Sequence, residues 1–200
     1  KMKKIKPYQA LKHPKWKMGK EISVNSSTLM NKMLELVEAQ KLFNIPNNKL
    51  SIIIHPESLV HAIIRFKNGL YKFLYFETDM LIPIGNSLFE NNFDLKNLKY
   101  ENFKLEKNHL SESLNFLKVD KKKFPAIKLK PILNKYNSLP IILNAANEIF
   151  VDQFLKKKAP FNGMIKIIMS ILKDRNYKKN AIQKPKNINQ IIRIDNWAKS

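Results

Sequence analysis

Past Lys123 the chain changes character, and this change constrains the fold more than any other feature of the sequence. The segments "FPAIKLKPILNKY", "LPIILNAANEIFVDQFLKK", "FNGMIKIIMSILKD" and "NINQIIRIDNWAKS" each carry apolar residues three or four positions apart. Such spacing lays an apolar stripe along a helix, and short connections between the stripes predict a compact all-α domain. Upstream the pattern differs. "LSIIIHP" at 50–56 reads as a buried strand halted by Pro56, and "SLVHAIIRF" and "LYKFLYF" flank Asn68-Gly69. Asn and Gly both tolerate positive φ, so the pair predicts a β-hairpin. In "DMLIPIGNSLF", Pro83 and Gly85 limit regular structure. Residues 91–118 are polar, Asn-rich and weakly periodic, and read as a connection or small lobe. The fold class expected is therefore α+β, with an all-α part at the carboxyl end. No internal repeat is visible.

Two hundred residues with 44% hydrophobic content suffice for a real core. No apolar run approaches the roughly 20 residues of a membrane span, and no apolar signal-like segment lies near Lys1. With no cysteine there is neither a disulfide framework nor a thiolate metal site, which fits a reducing cytoplasm. The net charge of +21 raises the question of a polyanion partner. The lysines are spread along the chain, however, from Lys1, Lys3 and Lys4 through Lys121–Lys123 and Lys156–Lys158 to Lys178 and Lys179. No aromatics recur beside them as a stacking platform. Compositional drift towards Lys, Asn and Ile explains the charge better, and nucleic acid is not the expected partner. The four glycines, Gly19, Gly69, Gly85 and Gly163, lie far apart. A dinucleotide or phosphate loop needs them clustered, so these residues contain no nucleotide cradle of that kind.

The stretch "NSSTLMNKMLELVEA" at 25–39 concentrates polar chemistry on an expected helix. "EISV" at 21–24 alternates like a short strand, and "NSST" supplies helix-start chemistry for a helix running to about Leu42. Thr28, Asn31, Lys32 and Glu35 fall along one flank. A helix start favours an anion, and Ser26, Asn31 and Lys32 offer a hydroxyl, an amide and an ammonium to a phosphate. Glu35 follows one turn later, within reach of a metal or a substrate hydroxyl. The plainer alternative is a capped surface helix with a Lys32–Glu35 ion pair, and periodicity alone favours it. His55, Glu57 and His61 permit a metal site, but without the helical spacing of known zinc motifs; hydrogen-bonded histidines fit better. His109 reads as surface, and "LNAANEIF" at 143–150 as structural, with small alanines for close helix packing and Asn144 as a cap.

Together the segments "HPKWKMGKEISVNSSTLMNKMLELVEA" (13–39), "IIHPESLVHAIIRF" (53–66), "TDMLIPI" (78–84) and "LNAANE" (143–148) resemble one family, 1-deoxy-D-xylulose-5-phosphate reductoisomerase. The motifs occur in family order across nearly the whole chain. The resemblance implies the later part of a mixed α/β catalytic domain over residues 1–90, a connecting segment over 91–118 and a helical domain over 119–200. It implies NADPH- and Mg²⁺- or Mn²⁺-dependent conversion of the keto-sugar phosphate to 2-C-methyl-D-erythritol 4-phosphate, in isoprenoid biosynthesis, by a cytoplasmic homodimer. His13, Ser26, Asn31 and Lys32 would contact substrate, mainly its phosphate; Glu35 would touch substrate and ligate the metal. His13, Lys32 and Glu35 would thus be the catalytic group. Gly19 would lie beside the nicotinamide cofactor, Trp16 and Met18 would belong to a flap, and His61 and Met80 would line the pocket.

Met33 departs from the pattern, standing where the family usually has glycine. The glycine-rich dinucleotide turn, the Asp-Ser-Glu metal segment and a further phosphate-binding serine of the family are absent from residues 1–200. The chain, which opens on Lys1, therefore reads as the carboxyl-terminal half of such an enzyme, expected to be inactive alone. A basic polyanion-binding relic or one half of a split enzyme remain the alternatives.

Overall fold

The computed structural model describes residues 5–12, 18–89, 93–94 and 113–200. His13, Trp16 and His109 lie outside the described residues, as does most of the expected 91–118 connection. The chain forms two compact units, Lys1–Ile52 with Val119–Ser200, and Ile53–Lys118. Residues up to Ile52 share a core with the carboxyl-terminal helices.

In the first unit a short helix α1 (Pro7–Ala10) precedes α2 (Lys20–Thr28) and α3 (Met30–Phe43). The expected strand at 21–24 is thus helix: a four-residue alternation is too short to separate a strand from one side of a helix. "NSST" closes α2 instead of opening the next helix. The break falls at Leu29, whose φ of 67° is left-handed, a conformation few non-glycine residues adopt. Ser27 and Thr28 promote it by donating hydroxyl hydrogen bonds to the carbonyl of Val24, and Thr28 to that of Asn25. Burial of Leu29 holds the turn in place.

The carboxyl-terminal helices are α5 (Leu139–Leu155), α6 (Met164–Ile171), α7 (Tyr177–Ala181) and α8 (Ile188–Lys199). The segment expected as the first of these helices is instead a 3₁₀ stretch, Pro125–Ile132. Pro125 and Pro131 withhold two amide donors from an α-helical ladder. α5 is apolar on two sides. One side buries Leu143, Ala146, Phe150 and Phe154 against Met30, Met33 and Leu36 of α3 and Met164 and Ile168 of α6. The other packs Ile142 and Ala145 onto Ala181 and onto Ile194 and Ala198 of α8. Small side chains let these helices approach closely.

In the second unit, β1 (Ile53–Ile54) pairs antiparallel with β4 (Leu117–Lys118). β2 (Val60–Arg65) and β3 (Tyr71–Tyr75) form the expected hairpin, with Ile63 opposite Phe73 and Gly69 at φ 88° in its turn. α4 (Leu81–Phe89) contradicts the expectation that Pro83 and Gly85 prevent regular structure. Pro83 sits in the first turn, where no amide donor is required, and Gly85 admits the Phe93 ring against the helix. The hairpin leaves Ile64, Phe66, Leu70, Tyr71, Phe73 and Leu74 exposed, while Leu59 is the buried large apolar side chain of this unit among the described residues. Two strands with so little covered surface form no independent core.

Candidate functional site

The Leu29 break brings two parts of the polar stretch together. Ser26, in the last turn of α2, accepts a hydrogen bond at 2.9 Å from the Asn31 carboxamide in the first turn of α3. α3 begins without a capping side chain, so its amino-terminal end retains its preference for an anion. Lys32 follows, its Nζ 2.7 Å from a Glu35 carboxylate oxygen. Both side chains are about half exposed (49% and 50%), so in this state they form the surface pair that periodicity favoured. Thr28 does not share this flank. It is buried and bonded to its own helix.

Met18 and Gly19 lead directly into α2, with the Gly19 carbonyl accepting from the Ser23 hydroxyl at 3.0 Å. Among the described residues nothing lies within 4 Å of where a Gly19 Cβ would stand. Met33, the departure from the family pattern, is fully buried in the core beside Met30.

In the second unit, His61 sits at a bulge between Val60 and Ala62. Its ring stacks on Phe76 at 3.7 Å, and its Nε2 lies 3.2 Å from the Phe76 carbonyl. Met80 is half exposed just before α4. His55 and Glu57 belong to a different cluster, which the sequence did not reveal. His55 Nδ1 lies 2.9 Å from both the Asn115 carbonyl and a Glu57 oxygen, so the proton resides on Nδ1. The Asn115 backbone and side-chain amides donate to Glu57 at 3.1 and 2.7 Å. Asn115 lies 58 residues beyond Glu57, a separation at which no local pattern signals contact.

The side-chain hydrogen bond from Asn115, ahead of all other influences, holds the Glu57 carboxyl below its ordinary range. A lowered folded value stabilises above the unfolded pKa of about 4.3 and ceases to do so as pH falls through the folded value. Acid titration followed at the His55 ring should therefore show this cluster opening only below the ordinary carboxylate range. Glu57→Ala should remove that transition.

A divalent-metal site needs several hard ligands converging. Among the described residues no group of three or more His, Asp or Glu side chains does so, and Glu35 supplies one carboxylate. The residues present therefore do not by themselves fit the metal, nor, lacking a glycine cradle, a dinucleotide. No helix among the described residues is long and apolar enough to cross a membrane.

The family model "DXP reductoisomerase C-terminal domain" matches residues 77–200, and "1-deoxy-D-xylulose 5-phosphate reductoisomerase C-terminal domain" matches residues 1–43. Among curated relatives, the 1-deoxy-D-xylulose 5-phosphate reductoisomerase of Pelagibacter ubique is 39% identical over 198 residues, 98% of this chain and 50% of its own length. That of Wolbachia pipientis wMel is 44% identical over 169 residues, 82% of this chain and 42% of its own. The Zymomonas mobilis reductoisomerase solved with NADPH is 32% identical with a TM-score of 0.82, covering 99% of this chain and 48% of that one. A DOX-P reductoisomerase solved with NADPH, fosmidomycin and magnesium is 29% identical with a TM-score of 0.86 and the same coverage. The chain spans about half the length of the curated relatives it matches. It belongs to the 1-deoxy-D-xylulose 5-phosphate reductoisomerase family.

Proposed function

We propose that these residues form the carboxyl-terminal part of an NADPH- and divalent-metal-dependent reductoisomerase. It converts 1-deoxy-D-xylulose 5-phosphate to 2-C-methyl-D-erythritol 4-phosphate, in isoprenoid biosynthesis. The observation that carries this reading is the Ser26–Asn31 hydrogen bond across the Leu29 break, beside Lys32 and an uncapped helix start. A hydroxyl, a carboxamide and helix amides lie together there, and the ammonium of Lys32, once released from Glu35, would complete the donor set a phosphate dianion requires.

The substrate- and metal-contacting residues fall within residues 1–90. Ser26, Asn31 and Lys32 hold the phosphate, together with His13. Glu35 gives up its pairing with Lys32 to meet substrate and to serve as one ligand of a magnesium or manganese ion. The remaining ligands, and the nucleotide cradle, come from outside these 200 residues. Gly19 offers open backbone to the cofactor. Trp16 and Met18 cover the substrate and exclude water. The exposed apolar side chains of the β2–β3 hairpin fit burial within a larger catalytic domain, and the working form is a cytoplasmic homodimer.

The test is NADPH oxidation with 1-deoxy-D-xylulose 5-phosphate and magnesium. An intact protein containing these residues should oxidise NADPH and stop when a chelator is added, whereas residues 1–200 alone should not turn over. Turnover by residues 1–200 alone, or chelator-resistant turnover by the intact protein, would contradict the reading.

A further inference from the structure

We infer that Asn147, in the middle of α5, is a positioning residue that fixes the Ser26–Asn31 cluster through a buried hydrogen bond to Asn25. The ligand assigned to that cluster rests on the function proposed above. Asn147 is fully buried and donates from Nδ2 to Asn25 Oδ1 at 2.8 Å, across 122 positions of sequence. Asn25 is also buried, in the last turns of α2.

Stability alone gives no reason for this pair. The Asn147 Oδ1 atom is buried with no hydrogen-bond partner among the described residues. An orphaned acceptor inside a core costs free energy, and asparagine is a weaker helix former than leucine. The surroundings of Asn147 are apolar, with Leu143, Ala146, Phe150 and Val151 on the same helix all in the core. Leucines at both Asn147 and Asn25 would pack without a polar penalty.

What the pair does supply is a directional anchor one peptide unit from the proposed site. Asn25 precedes Ser26, the hydroxyl that meets Asn31. The Asn25 carbonyl also accepts from Thr28 Oγ1 at 3.2 Å, just before the left-handed Leu29. The side chain of Asn25 is therefore held by α5 while its carbonyl is engaged by the turn that ends α2. Apolar packing resists compression but specifies direction poorly; a hydrogen bond between two carboxamides specifies both distance and orientation. Released from Asn147, the last turn of α2 is free to rotate, and Ser26 leaves the Asn31 carboxamide.

The experiment uses the intact reductoisomerase containing these residues, with Asn147→Leu and the double variant Asn25→Leu/Asn147→Leu. The single variant strands Asn25 Oδ1; the double removes both buried polar groups, which restores stability without restoring the anchor. Thermal unfolding, KM and kcat for 1-deoxy-D-xylulose 5-phosphate, and the side-chain amide resonances of Asn31 are measured. The expected result is a KM raised on the order of tenfold in both variants, with kcat changed much less and the unfolding temperature recovered in the double. The Asn31 resonances should shift in both. A KM that follows the unfolding temperature back to its original value, or unshifted Asn31 resonances, overturns the inference. Should the intact protein lack reductoisomerase turnover, the function proposed above fails, and the Asn31 resonances alone then decide whether Asn147 positions the cluster.

Discussion

Glu35→Gln in the intact protein should lower metal-dependent turnover by on the order of a hundredfold or more, with little change in unfolding temperature. The two effects separate because the carboxylate has two very different jobs. In the folded chain it makes an exposed i,i+3 pair with Lys32, and such pairs contribute about 0.2–0.5 kcal/mol. As a metal ligand it would help hold the ion whose charge stabilises the transition state, a contribution of several kcal/mol. Each ~1.4 kcal/mol of that loss is a factor of ten in rate. Glutamine preserves shape and one oxygen but removes the charge that a hard divalent cation selects. Steady-state turnover across a magnesium titration, beside thermal unfolding, checks this. Equal loss of activity and stability would place Glu35 among structural residues.

Met33→Gly should be the converse, a large loss of stability at a position that touches no ligand in the proposed site. Met33 is fully buried between α3 and the helical core. Truncating a buried methionine to alanine costs about 2–5 kcal/mol, depending on how far the cavity collapses. Glycine in a helix interior adds about 1 kcal/mol more. The total is a large share of the ~5–15 kcal/mol available to a typical domain. Glycine is the residue that the family usually has here, so this core has been built around a larger side chain. Denaturant unfolding should show a lowered midpoint. An unchanged midpoint would mean that the surrounding side chains refill the space.

Much of this architecture was legible because it rests on local chemistry. The three- and four-residue spacing of Leu139, Leu143, Ala146, Phe150 and Phe154 marks α5, and Asn68-Gly69 marks the hairpin, whatever the rest of the chain does. The turn at Leu29 was not legible, since leucine carries no propensity for positive φ. It is forced by the Ser27 and Thr28 hydroxyls competing for helix carbonyls and by the burial of Leu29 itself. The expected cap at "NSST" falls at the wrong end of the helix: these residues close α2. Asn25–Asn147 and Glu57–Asn115 bridge 122 and 58 positions, and polar pairs at such distances leave no periodic trace. The polar stretch at 25–35 was visible as residues and order. Its geometry depends on the break, which only tertiary packing defines.

In the proposed function Glu35 would exchange Lys32 for a metal ion while Lys32, Asn31 and Ser26 take the phosphate. A crystal structure of the intact protein with manganese and 1-deoxy-D-xylulose 5-phosphate, with the ion located by anomalous scattering, tests it most directly. The expected result is a Glu35 oxygen in the inner coordination sphere, at a bonding distance of about 2.0–2.2 Å. The substrate phosphate should lie within hydrogen-bond reach of Ser26, Asn31 and Lys32. An ion bound elsewhere, with Lys32 and Glu35 still paired at the surface, would contradict it.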